Sequence, residues 1–430
     1  MIIFAIPLLL ISCTKKTSQP FFTINNDVVG IWGPMELIPN HESINASIID
    51  HIEINPLVEG EFEWKNDSVY FFPAEPLADH EYYFTIDEST KDKTVFDRFT
   101  ETNFTFRIRQ PEIIIFSRKA ENFNLSIVDT KTKIEKSLTN IENEVFDYSV
   151  SKDGNAIAYS LKNDKNGFDI WVTDHNLEEK QLLIACGEFI CQNSAWSPDG
   201  NRIAYRKFFG GGVLYKSIIE VFNLYEGQVK EINPLRSQSS QPSWSPDGNY
   251  LGFFDGYKNA IVIKNLITHD EQEIFTNIEQ KISWSADSAR IAFVRADTTL
   301  TNPYTTLNIA DLEDDLIYPI DMPDGKNFEY SSPIWVFNKN SILYSKRNLV
   351  EGETRQIYLL DLNSHVEVQI TDAQDYEHAS YHLDPLGEKL VYQRLFLSKS
   401  DSEPEVVVIN IVDPDNIELI VAGALPNWIP

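Results

Sequence analysis

The stretch "NSAWSPDGNRIAYRK", residues 193–207, decides the fold. Pro198 presets a turn φ angle, Asp199 caps the turn, and Gly200 supplies a backbone conformation that other residues avoid. The turn joins a strand bearing Trp196 to a strand in which Ile203 and Tyr205 share one face and Ala204 takes the other. The small residue lets a neighbouring sheet approach, and Trp196 reads as a large apolar plate between sheets. "SIIEVFNLYEG" and "VKEINP" follow as two further strands, so the unit is a four-stranded sheet.

The unit recurs as "FDYSVSKDGNAIAYSL", "QPSWSPDGNYLGFFD", "KISWSADSARIAFVR", "SPIWVFNKNSILYSK" and "ASYHLDPLGEKLVYQR". Its marker aromatics are Tyr148, Trp196, Trp244, Trp284, Trp335, Tyr381 and Trp428. Their mean spacing is about 47 residues, inside the roughly 40–50 of propeller blades. Second strands fall at Ile113–Ser117, Ala156–Ser160, Arg202–Arg206, Tyr250–Phe254, Arg290–Val294, Ser341–Ser345 and Lys389–Gln393. The strand "EIIIFSRK" has no aromatic strand before it, and the "PNWIP" that ends the chain has no partner after it. The two halves complement each other. We expect "PNWIP" to pair with Ile113–Ser117 and close a ring of seven blades, which removes two exposed sheet edges.

These repeats resemble the TolB-like propeller family, known for its "WSPDG" units. The resemblance covers residues 111–430, and "WVFNKN" and "YHLDPLG" depart from the motif in two units. It implies six blades, the number usual in that family, as the alternative to seven.

Residues 22–110 read as short strands separated by turns. In "EGEFEWKNDSVYFFPAEPLADHEYYFTI", Phe62 and Trp64 alternate with acidic neighbours, Asn66 and Asp67 make a turn, and Val69–Phe72 return. Pro73 and Pro76 stop pairing. Tyr82–Phe84 begin another strand, and "NFTFRI" at 103–108 is the last. Such a succession predicts a β-sandwich. The stretch resembles the bacterial Ig-like domain of surface and lipid-anchored proteins, which implies a spacer without catalytic residues. The fold class is therefore all-β, a sandwich followed by a propeller.

The first residues, "MIIFAIPLLLISCTKK", hold an apolar run too short to span a bilayer, which needs about twenty residues. It fits the h-region of a secretory signal. Leu10-Ile11-Ser12-Cys13 resembles the lipobox of bacterial lipoproteins. That resemblance implies a signal at 1–12, lipidation of Cys13 and a tether at 13–21. An ordinary cleaved signal with an incidental cysteine is the other reading. No Lys or Arg precedes the run, which suggests a start a few codons upstream. In an exported protein Cys186 and Cys191 either close a disulfide loop between two sheets or stand as two small buried hydrophobes.

With 65 acidic and 36 basic side chains the formal charge is −29, which repels nucleic acid and anionic lipid headgroups. No GxSxG, CxxC or HExxH occurs. "FFGGGVLYK" at 208–216 lacks the GK[ST] that holds phosphate and reads as a hairpin turn. His378 and His382 share a face of a strand but stand about 13 Å apart, too far to grip one metal unaided. "DLEDD" at 311–315 and "DPDN" at 413–416 read as solvated turns. No catalytic, metal-binding or cofactor-binding residues, and no cofactor, are expected. The leading expectation is a non-enzymatic binding or scaffold module. It would be lipid-anchored to a bacterial membrane, facing the periplasm or the exterior, with an envelope protein, peptide or glycan as ligand. The rival is a lyase- or hydrolase-like enzyme whose site converges from several blades. A purely structural role is a third.

Overall fold

The computed structural model describes residues 22–24, 27–40, 44–86, 103–119, 122–139, 144–177, 179–210, 216–233, 237–297, 304–321, 328–337, 339–399 and 401–430. The chain divides into two compact units between Arg109 and Gln110. Apart from a short 3₁₀ turn at Ala46–His51, the regular elements among the described residues are strands.

The first unit is a sandwich of two four-stranded sheets. One orders Phe22–Thr23, Met35–Pro39, Ser68–Pro73 and Gly60–Lys65; the other orders Val28–Val29, Asn103–Ile108, Glu81–Ile86 and Ile52–Asn55. Alternation along each strand sends one side-chain set inward, so Met35, Leu37, Val69 and Phe71 meet Ile54, Phe84 and Phe106 in one core. Phe71 and Phe84 touch edge to face at 5.9 Å across it. The hairpin at Asn66 and Asp67 takes φ of +51° and +60°, the left-handed pair that a tight two-residue β-turn requires.

The second unit contains seven four-stranded sheets. Blade 2 comprises Val145–Val150, Ala156–Lys162, Phe168–Asp174 and Lys180–Ile184; blade 3 comprises Ile190–Trp196, Arg202–Phe208, Ser217–Asn223 and Gln228–Glu231. A single bridge, Phe168 to Ile190, fuses their edges. Blades 4 to 7 begin with Ser239–Trp244, Ser283–Trp284, Phe328–Trp335 and Tyr376–Leu383, and each continues outward in chain order. Blade 1 is assembled from both ends of the unit: Glu112–Lys119, Asn122–Asp129 and Glu135–Ser137 are completed by Ala424–Ile429. Trp428 pairs with Ile113, Asn427 with Ile114 and Ile429 with Glu112. The ring has seven blades, and its last strand is the clasp that the two orphan halves predicted.

Within each blade the first strand is innermost. First strands touch between blades 2 and 3, 3 and 4, 5 and 6, and 7 and 1. The fourth strands are the solvent-facing ones, fully exposed in Gln228–Glu231 and Glu367–Gln369.

The quoted motif works as a turn clamp. The Ser197 hydroxyl accepts the Arg202 N–H at 2.9 Å and donates to Asp199, while Asp199 accepts the Asn201 N–H at 3.2 Å. Gly200, at φ +69°, donates to the Ser197 carbonyl at 2.9 Å. Burial opposes the charge of Asp199, but these donors outweigh it and hold the carboxyl below its ordinary range. Ser151, Ser245 and Ser285 repeat the clamp. In blade 7 Asp384 takes over, accepting from Glu388 and Lys389. In blade 6 the corresponding turn is closed by backbone bonds of Val336, from its N–H to Ser341 and from Lys339 to its carbonyl.

Packing between blades follows the same asymmetry. Ala204 of blade 3 receives Trp244, Leu251 and Phe253 of blade 4. At the clasp, Val391 of blade 7 receives Trp428, Ile113 and Ile115. The junctions share a hydrogen bond as well: the Trp244 indole donates to the Ala195 carbonyl at 3.0 Å, and the Trp428 indole to the equivalent His382 carbonyl at 3.1 Å. The carboxylates at 413–416 are not a free turn, since Asp413–Ala422 form the outer strand of blade 7.

Candidate functional site

A strand at the edge of a sheet exposes backbone, and the seven first strands turn that edge towards the central channel. Six of them carry a register shift at the same place: between Val145 and Tyr148, Gln192 and Ala195, Ser240 and Ser243, Ser331 and Ile334, Ala379 and His382, and Ala424 and Asn427. A bulge inserts one residue and re-aims the side chains around it. Aligned on their pairing, the inserted positions are Asp147, Asn193, Gln241, Ser332, Ser380 and Leu425. Four sit at positive φ: Asn193 at +53°, Gln241 at +54°, Ser380 at +46° and Leu425 at +48°. A backbone strained by about 1–3 kcal/mol at each of several equivalent positions marks a ring that the fold holds for a purpose.

Blade 5 departs from the pattern. Its first strand pairs only through Ser283 and Trp284, and the Gln280 side chain stands in for the missing ladder. Its amide oxygen accepts the Val294 N–H at 2.7 Å and its amide nitrogen donates to the Val294 carbonyl at 2.6 Å. The residue at the ring position is Lys281.

The ring therefore presents unlike side chains. Leu425 is 49% exposed although its strand is central, and Phe146, one residue before Asp147, is 50% exposed. Lys281 is exposed and Asn193, Gln241 and Ser380 are half-buried. Asp147 accepts from the Ser160 hydroxyl at 2.5 Å and from the Asn193 backbone N–H. Burial raises its carboxyl above the ordinary range despite these donors. The Tyr148 hydroxyl reaches the Leu425 carbonyl at 2.5 Å, tying blade 2 to the clasp.

Water reaches Lys281, yet the protein around it desolvates the side chain and lowers its ammonium below the ordinary lysine range. The half-buried imidazole of His382 is lowered to about 4, first by desolvation and then by the charge of Lys281. His382 is neutral at pH 7.

The two histidines of blade 7 do not share a face, because the bulge between Ala379 and His382 breaks the alternation. His378 is buried, with Nδ1 3.0 Å from the Arg355 carbonyl oxygen. Glu377 pairs with Arg355 at 3.5 Å and Asp384 is used by its own turn. Among the described residues no group of three His, Cys, Asp or Glu is placed to hold a metal. Cys186 and Cys191 are joined by a disulfide where blade 2 hands over to blade 3. Cys13 lies outside the described residues, as do 211–215 of the glycine-rich stretch. Asp311 accepts from the N–H groups of Glu313 and Asp314, a turn as read.

Two cavities lie between blades rather than in the channel. One of about 580 Å³ at the junction of blades 7 and 1 is lined by Phe116, Phe123, Arg118 and Glu403. One of about 370 Å³ between blades 4 and 5 is lined by Asp247, Asp270, Glu271, Asp287 and Glu313.

No protein-family model matches the chain, and no curated protein matches it. Solved structures do. A prolyl endopeptidase is similar at 12% identity with a TM-score of 0.53, over 74% of this chain and 50% of that one. That likeness shows the propeller fold. TolB from Acinetobacter baumannii is similar at 15% identity, over 75% of this chain and 83% of that one, with a TM-score of 0.45. An oligogalacturonate lyase from Vibrio parahaemolyticus is similar at 14% identity, over 64% and 74%, with a TM-score of 0.44. This chain spans half the length of the prolyl endopeptidase. The similar structures thus include TolB and enzymes of two kinds.

Proposed function

We propose that this chain is a lipid-anchored envelope binding protein that takes its ligand in the propeller channel. The ring of unlike side chains at equivalent bulge positions carries the reading. Packing needs would repeat one residue type around the ring; a charge, amides, a hydroxyl and a leucine at the same position form a recognition surface instead. The apolar run before Cys13 supports export and lipidation, with the sandwich, Ig-like by resemblance, as a spacer. The disulfide suits an oxidising compartment. The ligand is an envelope protein, a peptide or a glycan.

The test compares the wild type with Leu425→Trp, which fills the channel from an exposed position. We expect the wild type to recover a partner from solubilised envelopes, or to bind on a glycan array, and the variant to lose it. Equal recovery by both, or none by either assay, contradicts the reading. Palmitate labelling of the wild type, absent in Cys13→Ser, is the expected outcome for the anchor; a labelled variant refutes it.

One observation favours the enzyme reading: Lys281 and His382, from different blades, are both shifted by their surroundings, as catalytic groups are. Turnover of a channel ligand, abolished by His382→Gln with binding retained, would decide for it.

A further inference from the structure

We infer that Lys281 is the centre of an oxyanion site, and that the channel ligand presents a carboxylate or phosphate to it. The inference rests on the channel reading and adds the chemistry of the ligand. Three observations carry it. First, Lys281 occupies the ring position in the one blade whose first strand is not bulged, held there by the Gln280 amide on Val294. Second, its ammonium has no ion pair or hydrogen bond among the described residues. The carboxylate at the ring position of blade 2, Asp147, is already engaged by Ser160 and Asn193. In a chain of net charge −29 an uncompensated cation at the centre of the ring is the exception. Third, Gln241 stands at the equivalent position of blade 4, the blade before that of Lys281, where its amide N–H groups add a neutral donor to the ring.

A bound anion gains more here than at the open surface, because the surrounding sheets lower the effective dielectric. It also relieves Lys281 of its own desolvation penalty. His382 reports occupancy. An anion on Lys281 cancels part of the positive field that His382 feels, so its pKa climbs from about 4.

The experiment is a titration of the full chain at pH 6.5 with sodium succinate and, separately, inorganic phosphate, at constant ionic strength. Nuclear magnetic resonance follows the His382 ring and the Lys281 and Gln241 amides. We expect saturable shifts with at least one probe, and the tighter probe identifies the class. Lys281→Met weakens that binding about ten-fold or more, the share of one charge-assisted bond. Lys281→Arg keeps it within about three-fold, since the charge remains. Shifts that fail to saturate at tens of millimolar with either probe overturn the inference, as does Lys281→Met binding as tightly as the wild type. Failure here with partner recovery still blocked by Leu425→Trp leaves a channel whose ligand lacks an oxyanion. Failure of Leu425→Trp to alter recovery removes the channel reading itself.

Discussion

Deleting Leu425–Pro430 should cost the propeller most of its stability. The deletion removes Trp428, 4% exposed and packed on Val391, Ile113 and Ile115, and Ile429, buried against Ile114 and Ile157. Losses of this kind run at about 3–5 kcal/mol for a tryptophan and about 2–5 for an isoleucine. The Tyr148 hydroxyl also loses its Leu425 acceptor and keeps only the Ile114 carbonyl at 3.4 Å, a loss of about 0.5–1.5 kcal/mol. The total is on the order of 10 kcal/mol, similar to the net stability of a typical domain. An unfolding entropy of about 2.1 cal/mol/K per residue over the roughly 320-residue unit gives about 0.7 kcal/mol/K. The propeller Tm should therefore fall by about 15 °C. Differential scanning calorimetry on the full chain reads this, with the sandwich transition as an internal control. A propeller transition within about 2 °C of wild type would refute the reasoning.

Replacing both Cys186 and Cys191 with alanine should cost about 2 kcal/mol, the closure entropy of so short a loop, and lower Tm by about 3 °C; an unchanged midpoint would contradict this. Acid should weaken the fold through His382. Its folded pKa of about 4 lies below the unfolded 6.5, so between those values the unfolded chain binds more protons and stability falls as pH falls. The slope from this group is at most about 1.4 kcal/mol per pH unit. His382→Gln should show a shallower loss of Tm between pH 6.5 and 4.5, and identical slopes would contradict the assignment.

The propeller was legible because its turn is written in side chains. Ser197, Asp199 and Gly200 each satisfy or shape a named backbone group, so the same letters recur wherever the turn does. At Val336, where backbone bonds close the turn, the motif fades although the blade persists. The clasp was legible from two half-units, "EIIIFSRK" and "PNWIP", that each lacked what the other had. The channel ring was not legible. Its positions share geometry but no single residue type, and six of the seven lie at a bulge, where one inserted residue reverses the alternation a reader counts on. The same bulge separated His378 from His382, which an unbroken strand would have placed on one face. Lys281 gave no signal at all in the sequence. Its place depends on Gln280 replacing a backbone ladder, a substitution that pattern reading does not anticipate.

The most direct test of the closed ring is a cross-link across the clasp. In a Cys13→Ser background, cysteines at Glu112 and Ile429, which face each other in the antiparallel pair, should form an intramolecular disulfide on mild oxidation. A pair at Glu112 and Ala424, at opposite ends of the same register, should not. Equal cross-linking of both pairs, or of neither, would contradict a terminal strand seated on Ile113–Phe116.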